Sequence, residues 1–231
     1  DYVFQLSPQD IALINPNTLT CPVFRTSADA ELTKKIYQHI PVLENEKQGK
    51  NPWGITFRQG LFNMSSDSNL FISEEKLEEI NHSVLPLYEA KMLHQFDHRW
   101  ASYEGEKSRE ISLEEKSDRT YQVKPRYWVD QGEVENRLAE KWDKEWLLAF
   151  RDICRSTDER TAIFSLIPKV AVGHKAPIIF TDQKDSNLYC LLIANLNSLV
   201  FDFVARQKVG GTNMSFFILK QLPVIPPENY T

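Results

Sequence analysis

Residues Asn187 to Pro227 read NLYCLLIANLNSLVFDFVARQKVGGTNMSFFILKQLPVIPP. Leu188, Leu191, Leu192, Leu196, Leu199, Val200, Phe203 and Val204 recur at helical spacing. A stripe that wide predicts one long apolar helix packed into a core. Arg206 and Lys208 stand at its C-terminal end, where positive charge suits the helix dipole. Gly210-Gly211-Thr212 is expected to stop the helix. Phe216 to Leu219 is a short apolar run. Pro223, Pro226 and Pro227 then forbid a further helix or central strand, so the chain is expected to leave extended.

Working outward, residues 1–26 carry Pro8, Pro16 and Pro22 among turn formers and read as a linker or arm. Residues 27–231 read as the domain proper. A helix capped near Thr26 should run to about Glu46, with Leu32, Ile36, Ile40 and Leu43 on one face. Trp53 to Phe62 and Leu85 to Tyr88 read as strands. In Met92 to Tyr103, His94, Phe96, His98 and Trp100 alternate with polar residues, so a strand is expected there too. Tyr103 to Thr120 is highly charged and reads as a surface loop. Val123 to Val129, with Pro125, suits an edge strand. A helix follows from Glu133 to about Trp146. Leu147–Cys154, Thr161–Ile167, Lys169–Val172 and Pro177–Thr181 read as short strands. The fold class expected is α+β: a curved or partly closed mixed sheet with the long C-terminal helix packed on it, and additional helices.

The chain has 231 residues, 42% hydrophobic and 11% aromatic, which excludes a disordered tail. The longest uncharged run at the apolar helix falls short of a membrane span of ~20 residues, so no membrane partner is expected. The opening residues have neither a basic nor an apolar leader segment. Cys21, Cys154 and Cys190 form no CxxC pair and suggest a reducing, cytoplasmic setting. The sequence does not open on Met, and a longer parent chain is expected. The net charge of −5 weighs against nucleic acid. It is unevenly spread: Phe203–Pro227 has three basic residues and no acidic one, and Phe150–Pro177 has five basic against three acidic.

The words NPNTLTCPVFRT (Asn15–Thr26), LYEAKMLHQFDHRWASY (Leu87–Tyr103), KPRYWV (Lys124–Val129), FRDICRSTDERTAIFSLIPKVAVGHKAP (Phe150–Pro177) and LNSLVFDFVARQKVGGTNMSFFILKQLPVIPP (Leu196–Pro227) occur in this order. Together they resemble the target-recognition region of type IIG and related phage-defence N6-adenine DNA methyltransferases. Type I specificity subunits share a looser version. The likeness extends over nearly the whole chain, and its specificity lies in the order of the words. The resemblance implies a DNA-binding recognition domain joined to an upstream methylase domain of the same chain. Double-stranded DNA is the partner it implies. S-adenosylmethionine would belong to that parent enzyme, with no cofactor in this stretch; the parent methylates adenine and could also carry endonuclease activity.

The sequence lacks the tetrapeptide Asn/Asp-Pro-Pro-Tyr/Phe and a Gly-rich turn after a strand, so no catalytic residue of a methyltransferase is expected here. Glu89-Ala90-Lys91 matches half of a metal-dependent nuclease site, but a Pro-Asp partner is missing and Asp67 is the nearest candidate, so a salt-bridged surface pair is the reading expected. His94 and His98 suggest a metal, or histidines packed beside aromatics; no metal site is expected. The DNA-contact candidates form three groups. Arg151, Arg155 and Arg160 can read guanine edges or hold phosphate, or pair with Asp152, Asp158 and Glu159. His174 and Lys175 follow Gly173 in a turn suited to phosphate. Gly210, Gly211, Thr212 and Asn213, with Arg206 and Lys208 before them, offer bare amides, a hydroxyl and charge, or else a plain helix cap. Against DNA recognition stands a second class, a protein–protein docking module of a restriction or phage-defence complex, which the acidic net charge favours.

Overall fold

The computed structural model describes residues 5–230; the first four residues of the expected arm, and Thr231, lie outside the described residues. In chain order the helices are α1 (Pro8–Ile14), α2 (Ser27–His39), α3 (Leu113–Ser117), α4 (Gln131–Leu138), α5 (Ser186–Leu196), α6 (Leu199–Lys208) and α7 (Phe216–Lys220). The strands are β1 (Thr56–Arg58), β2 (Val84–Tyr88), β3 (Ala101–Glu104), β4 (Lys107–Glu110), β5 (Trp128–Asp130), β6 (Trp146–Phe150), β7 (Phe164–Pro168), β8 (Ala171–Val172) and β9 (Ile178–Phe180). The class is α+β, as the sequence predicts.

The chain divides into two compact units. One joins residues 1–55, 153–162 and 181–231 and holds α1, α2, α5, α6 and α7. The other joins residues 56–152 and 163–180 and holds every named strand with α3 and α4. In this β unit a four-stranded antiparallel sheet runs β1-β9-β6-β7, with Leu148 opposite Ile179 and Phe150 opposite Phe164. A three-stranded sheet runs β5-β2-β8; of the strand expected over Val123–Val129 only its end is strand, in β5, and Pro125 lies before it. β3 and β4 form a hairpin about Gly105 at φ +59°. The core is built of Phe62, Leu87, Met92, Leu93, Val129, Val134, Leu147, Ile167 and Ile178, all at most 1% exposed. This is the apolar payload that holds so many short strands, since two-stranded pieces are marginal without it.

In the helical unit, Pro41 ends α2 sooner than expected: Pro cannot continue the turn and pushes its predecessor Ile40 to extended backbone, φ −124°. The following residues pair with the C-terminal segment. Leu43 N donates to Leu222 O, Glu44 N to Lys220 O, and Val224 N to Pro41 O. Trp53 is 1% exposed and its indole donates to Ile225 O at 3.2 Å. The proline-rich tail therefore stays in the unit as an extended segment with its backbone groups used.

Several sequence expectations need correction. The long apolar helix is two helices, α5 and α6, bent by 54°. Ser198 caps the second, its hydroxyl accepting from Phe201 N at 3.1 Å. An N-cap needs non-helical backbone, so the stripe cannot run through it. Among the described residues no single helix is long and apolar enough to cross a membrane. The β-structure is three sheets and not one. The 92–103 strand is interrupted by a turn in which His94 and Asp97 exchange backbone bonds of 2.7 and 3.0 Å and Phe96 takes φ +59°; β3 is what remains. The charged stretch after Tyr103 folds into β4 and α3 instead of a loop. The helix expected to reach Trp146 stops at Leu138, where Glu140 takes φ +63°.

Candidate functional site

The site begins with an acidic residue inside an apolar helix. Asp202 on α6 is 4% exposed. Its Oδ1 accepts from Thr161 N and Ala162 N, both at 2.8 Å. Its Oδ2 accepts from Arg206 Nε at 2.8 Å and lies 3.8 Å from Arg160 Nη1. Arg206 carries the bond onward: Nη1 donates to Ser156 O at 3.1 Å and Nη2 to Glu159 O. One carboxylate and one guanidinium, a helical turn apart, thus fasten residues 156–162 to α6. Charge-assisted bonds to backbone of this kind are the stronger class.

The other end of that loop is tied to the Gly-rich segment. Cys154 N donates to Thr212 O at 3.0 Å, and Ile153 and Asn213 form an antiparallel bridge. Two sequence words far apart in the chain therefore meet on one rim of the helical unit. Along it lie Arg155, Gly210, Gly211 and Thr212, all exposed. Arg155 sits in a turn held by its own N–H donating to Asp158 Oδ2 at 2.8 Å and by Thr161 Oγ1 donating to Arg155 O at 2.8 Å. Arg25 reaches the same turn, Nη2 to Ser156 Oγ at 3.3 Å. The Thr212 hydroxyl lies 3.1 Å from Asn213 Oδ1.

The glycines do not act as the expected helix cap. Neither Gly210 nor Gly211 has positive φ, and a Cβ on either would meet nothing within 4 Å. Val209 caps α6, its N–H donating to Ala205 O. Bare backbone at open surface is what remains of their role.

Lys208 is corrected from a surface contact to an interior one. Its Nζ donates to Ile14 O at 2.6 Å, Gln221 O at 2.7 Å and Asn15 Oδ1 at 2.8 Å, and lies 4.8 Å from the centre of the Tyr37 ring. The stem keeps some surface while the amine is enclosed, and burial pushes the amine down to about 7. Arg206 and Arg160 are likewise engaged, but by the Asp202 carboxylate and not by those of Asp152, Asp158 or Glu159, the partners the sequence offered to Arg160.

Three candidates fall in the β unit. Arg151 Nε donates to Leu93 O at 2.9 Å and Ala90 O at 3.2 Å, so it braces the chain around Met92. Lys175 Nζ lies 3.1 Å from Asp152 Oδ2; the lysine side chain is 44% exposed and the aspartate 9%. His174 Nδ1 accepts from Met64 N at 3.2 Å, and His174 O accepts from Gln59 Nε2 at 2.6 Å. Lys175 is the member of this group whose charge reaches solvent.

The nuclease-like triplet is differently employed. Glu89 Oε1 accepts from Tyr103 OH at 2.8 Å and pairs with Arg126 at 3.3 Å, while Lys91 Nζ sits 4.8 Å from the Tyr103 ring centre. Asp67 pairs with Arg137 at 3.1 Å. His94 packs on Trp100 with ring centres 4.3 Å apart.

Asp202 and Arg25 escaped the sequence reading. The first had a signal: an acid in an apolar stripe, four residues before an arginine. The second had none. Compared with known proteins, the chain matches no family model and no curated protein.

Proposed function

We propose that the chain is a target-recognition module that binds double-stranded DNA and gives sequence specificity to an N6-adenine methyltransferase of the type IIG kind. Methyl transfer and S-adenosylmethionine would belong to a methylase region of the parent chain, in the cytoplasm. The observation that carries this reading is the rim on the helical unit. There an exposed arginine, a threonine hydroxyl and two glycines with open space above them are held together by backbone bonds. Arginine suits phosphate oxygens and guanine edges, and uncovered amides let a backbone approach closely. The ordered sequence words that resemble such modules support it from a separate direction.

A docking module is the second reading. It is favoured by the net charge of −5 and by the exposed apolar side chains Ile153, Leu199, Val200 and Phe217.

Binding of a duplex measured from about 50 to 200 mM salt separates the two. Phosphate contacts release counterions, so the DNA module should lose affinity steeply with salt. Arg155→Ala should reduce the salt slope by about 1 if it holds phosphate, or relax discrimination at one position if it reads a base. Affinity without salt dependence, or no duplex affinity at all, would sink the DNA reading in favour of the docking one.

A further inference from the structure

In the β unit a cavity of about 250 Å³ opens beside β2. Pro86 and Tyr88, two residues apart on that strand, line it from one side; His98, Arg99, Tyr121 and Pro168 complete the part that matters here. Its walls are mostly apolar, and four of these six residues, Tyr88, His98, Arg99 and Tyr121, carry a flat ring or a planar cation beside the two prolines.

Two polar groups in the lining are unspent. Tyr88 is 4% exposed, yet among the described residues its hydroxyl makes no hydrogen bond. His98 Nδ1 is sealed from solvent with no partner. A folded protein seldom leaves a sealed group such as His98 Nδ1 unbonded, because it forfeits its bond to water, whereas the Tyr88 hydroxyl is not sealed and stays open to a ligand. Arg99, by contrast, is fixed in place: Nη1 donates to Asp118 O at 3.0 Å and Tyr121 O at 3.4 Å, and Nη2 to Lys116 O at 2.6 Å. Its plane is therefore a wall, with most of its donors used.

This chemistry selects among ligands. Burial first, and the Arg99 charge second, hold the His98 imidazole below its ordinary value, so it is neutral at pH 7. A neutral imidazole and a phenol each offer both a donor and an acceptor. A phosphate group asks for several unspent cations, and this cavity has none. A neutral, flat ring carrying both donors and acceptors on its edge fits better. The volume lies below the ~300–1,000 Å³ of pockets for drug-sized ligands, and holds one ring system.

We propose that this pocket receives a single unstacked nucleobase. The inference rests on the DNA-binding reading. The base would lie against Tyr121 or the Arg99 plane, as bases do on aromatic and guanidinium faces. Its edge would bond the Tyr88 hydroxyl and the His98 ring.

The test uses the whole chain and two probes. Adenosine is titrated while the His98 ring signals are followed by NMR, with inorganic phosphate and benzoate as competitors. Separately, a duplex of about 20 base pairs is compared with the same duplex carrying one unpaired adenine. Expected are saturable adenosine binding that Tyr88→Phe weakens about fivefold, the worth of one hydrogen bond, and tighter binding of the bulged duplex, a preference lost in the same variant. Tyr88→Phe keeps the ring in the core, and its thermal midpoint checks the fold. No saturable shift at His98 overturns the proposal, as does phosphate or benzoate binding as well as adenosine. Equal affinity for both duplexes overturns the pocket and leaves DNA binding standing. Adenosine binding without any duplex affinity overturns the DNA reading, and with it a DNA base as the occupant.

Discussion

Two side chains of α6 hold distant parts of the helical unit, and each can be tested singly. Asp202 is nearly inaccessible and accepts three bonds of 2.8 Å, two from backbone and one from Arg206. Asp202→Ala leaves two buried N–H groups and a guanidinium without their acceptor. Loss of one partner of a buried pair costs about 3–5 kcal/mol; because Arg206 keeps part of its surface in water, about 3 kcal/mol is expected. Asp202→Asn keeps one oxygen for the two N–H groups and should cost less, about 1–2 kcal/mol. Urea denaturation measures both, and equal costs would mean that the charge on Asp202 is what matters. Lys208 gives a pH test. In the unfolded chain its amine titrates near 10.5, in the fold near 7. Between those values the unfolded state binds more protons, so stability contributed at this position rises with pH from about 7 to 10.5 and is flat below. Wild type should therefore gain on Lys208→Met across that window. Parallel profiles would show that the three oxygen acceptors outweigh burial and keep the ammonium charged.

At the scale of elements the decisive features are turns. Gly60 takes φ +63°, and a Cβ there would meet Gly173 O at 2.4 Å and His174 Cα at 2.8 Å. Both objections are to backbone, which cannot swing aside. Gly60→Ala is expected to destabilise the β unit by at least about 2 kcal/mol, the left-handed conformation contributing ~1–2 of it. It should also shift the NMR signals of the Gly173–Lys175 turn; a neutral thermal midpoint would contradict this. Such turns mark what the sequence made legible. Strands β2, β6, β7 and β9 were readable because β-branched and aromatic runs there are short and bounded by turn residues. The C-terminal helix was misjudged because Asn197-Ser198 falls between stripe positions, so the apolar period survives a 54° bend. The alternation through His94–Trp100 was genuine in sequence and irrelevant in space, since Phe96 reverses the chain. Of the site, Arg155 and Gly210–Thr212, which the sequence offered as DNA contacts, lie exposed on the rim. That Lys208 turns inward could not be known, because its acceptors at Ile14, Asn15 and Gln221 are remote in sequence.

At the scale of the molecule, the chain's path between units sets its own prediction. The helical unit is assembled from three segments, and the middle one, Ile153–Ala162, connects β6 to β7, which pair with each other in the β unit. No contiguous piece of sequence contains the helical unit: its backbone pairing joins Leu43 and Glu44 to Leu222 and Lys220. The β unit differs. Residues 56–180 include all its strands and its whole core, with the excursion Ile153–Ala162 as the foreign part. A fragment 56–180 is therefore expected to fold, with dispersed amide signals and slow hydrogen exchange in β2, β6, β7 and β9. In it, the amides of Cys154, Thr161 and Ala162 lose Thr212 O and Asp202 Oδ1, their acceptors in the full chain. Those amides should exchange freely while β6 and β7 on either side stay protected, since local opening follows local bonding. If the fragment is unfolded, the β core is not sufficient by itself. If it folds with residues 153–162 still protected, the Asp202 clasp is not what orders the loop, and the arginine rim has another foundation.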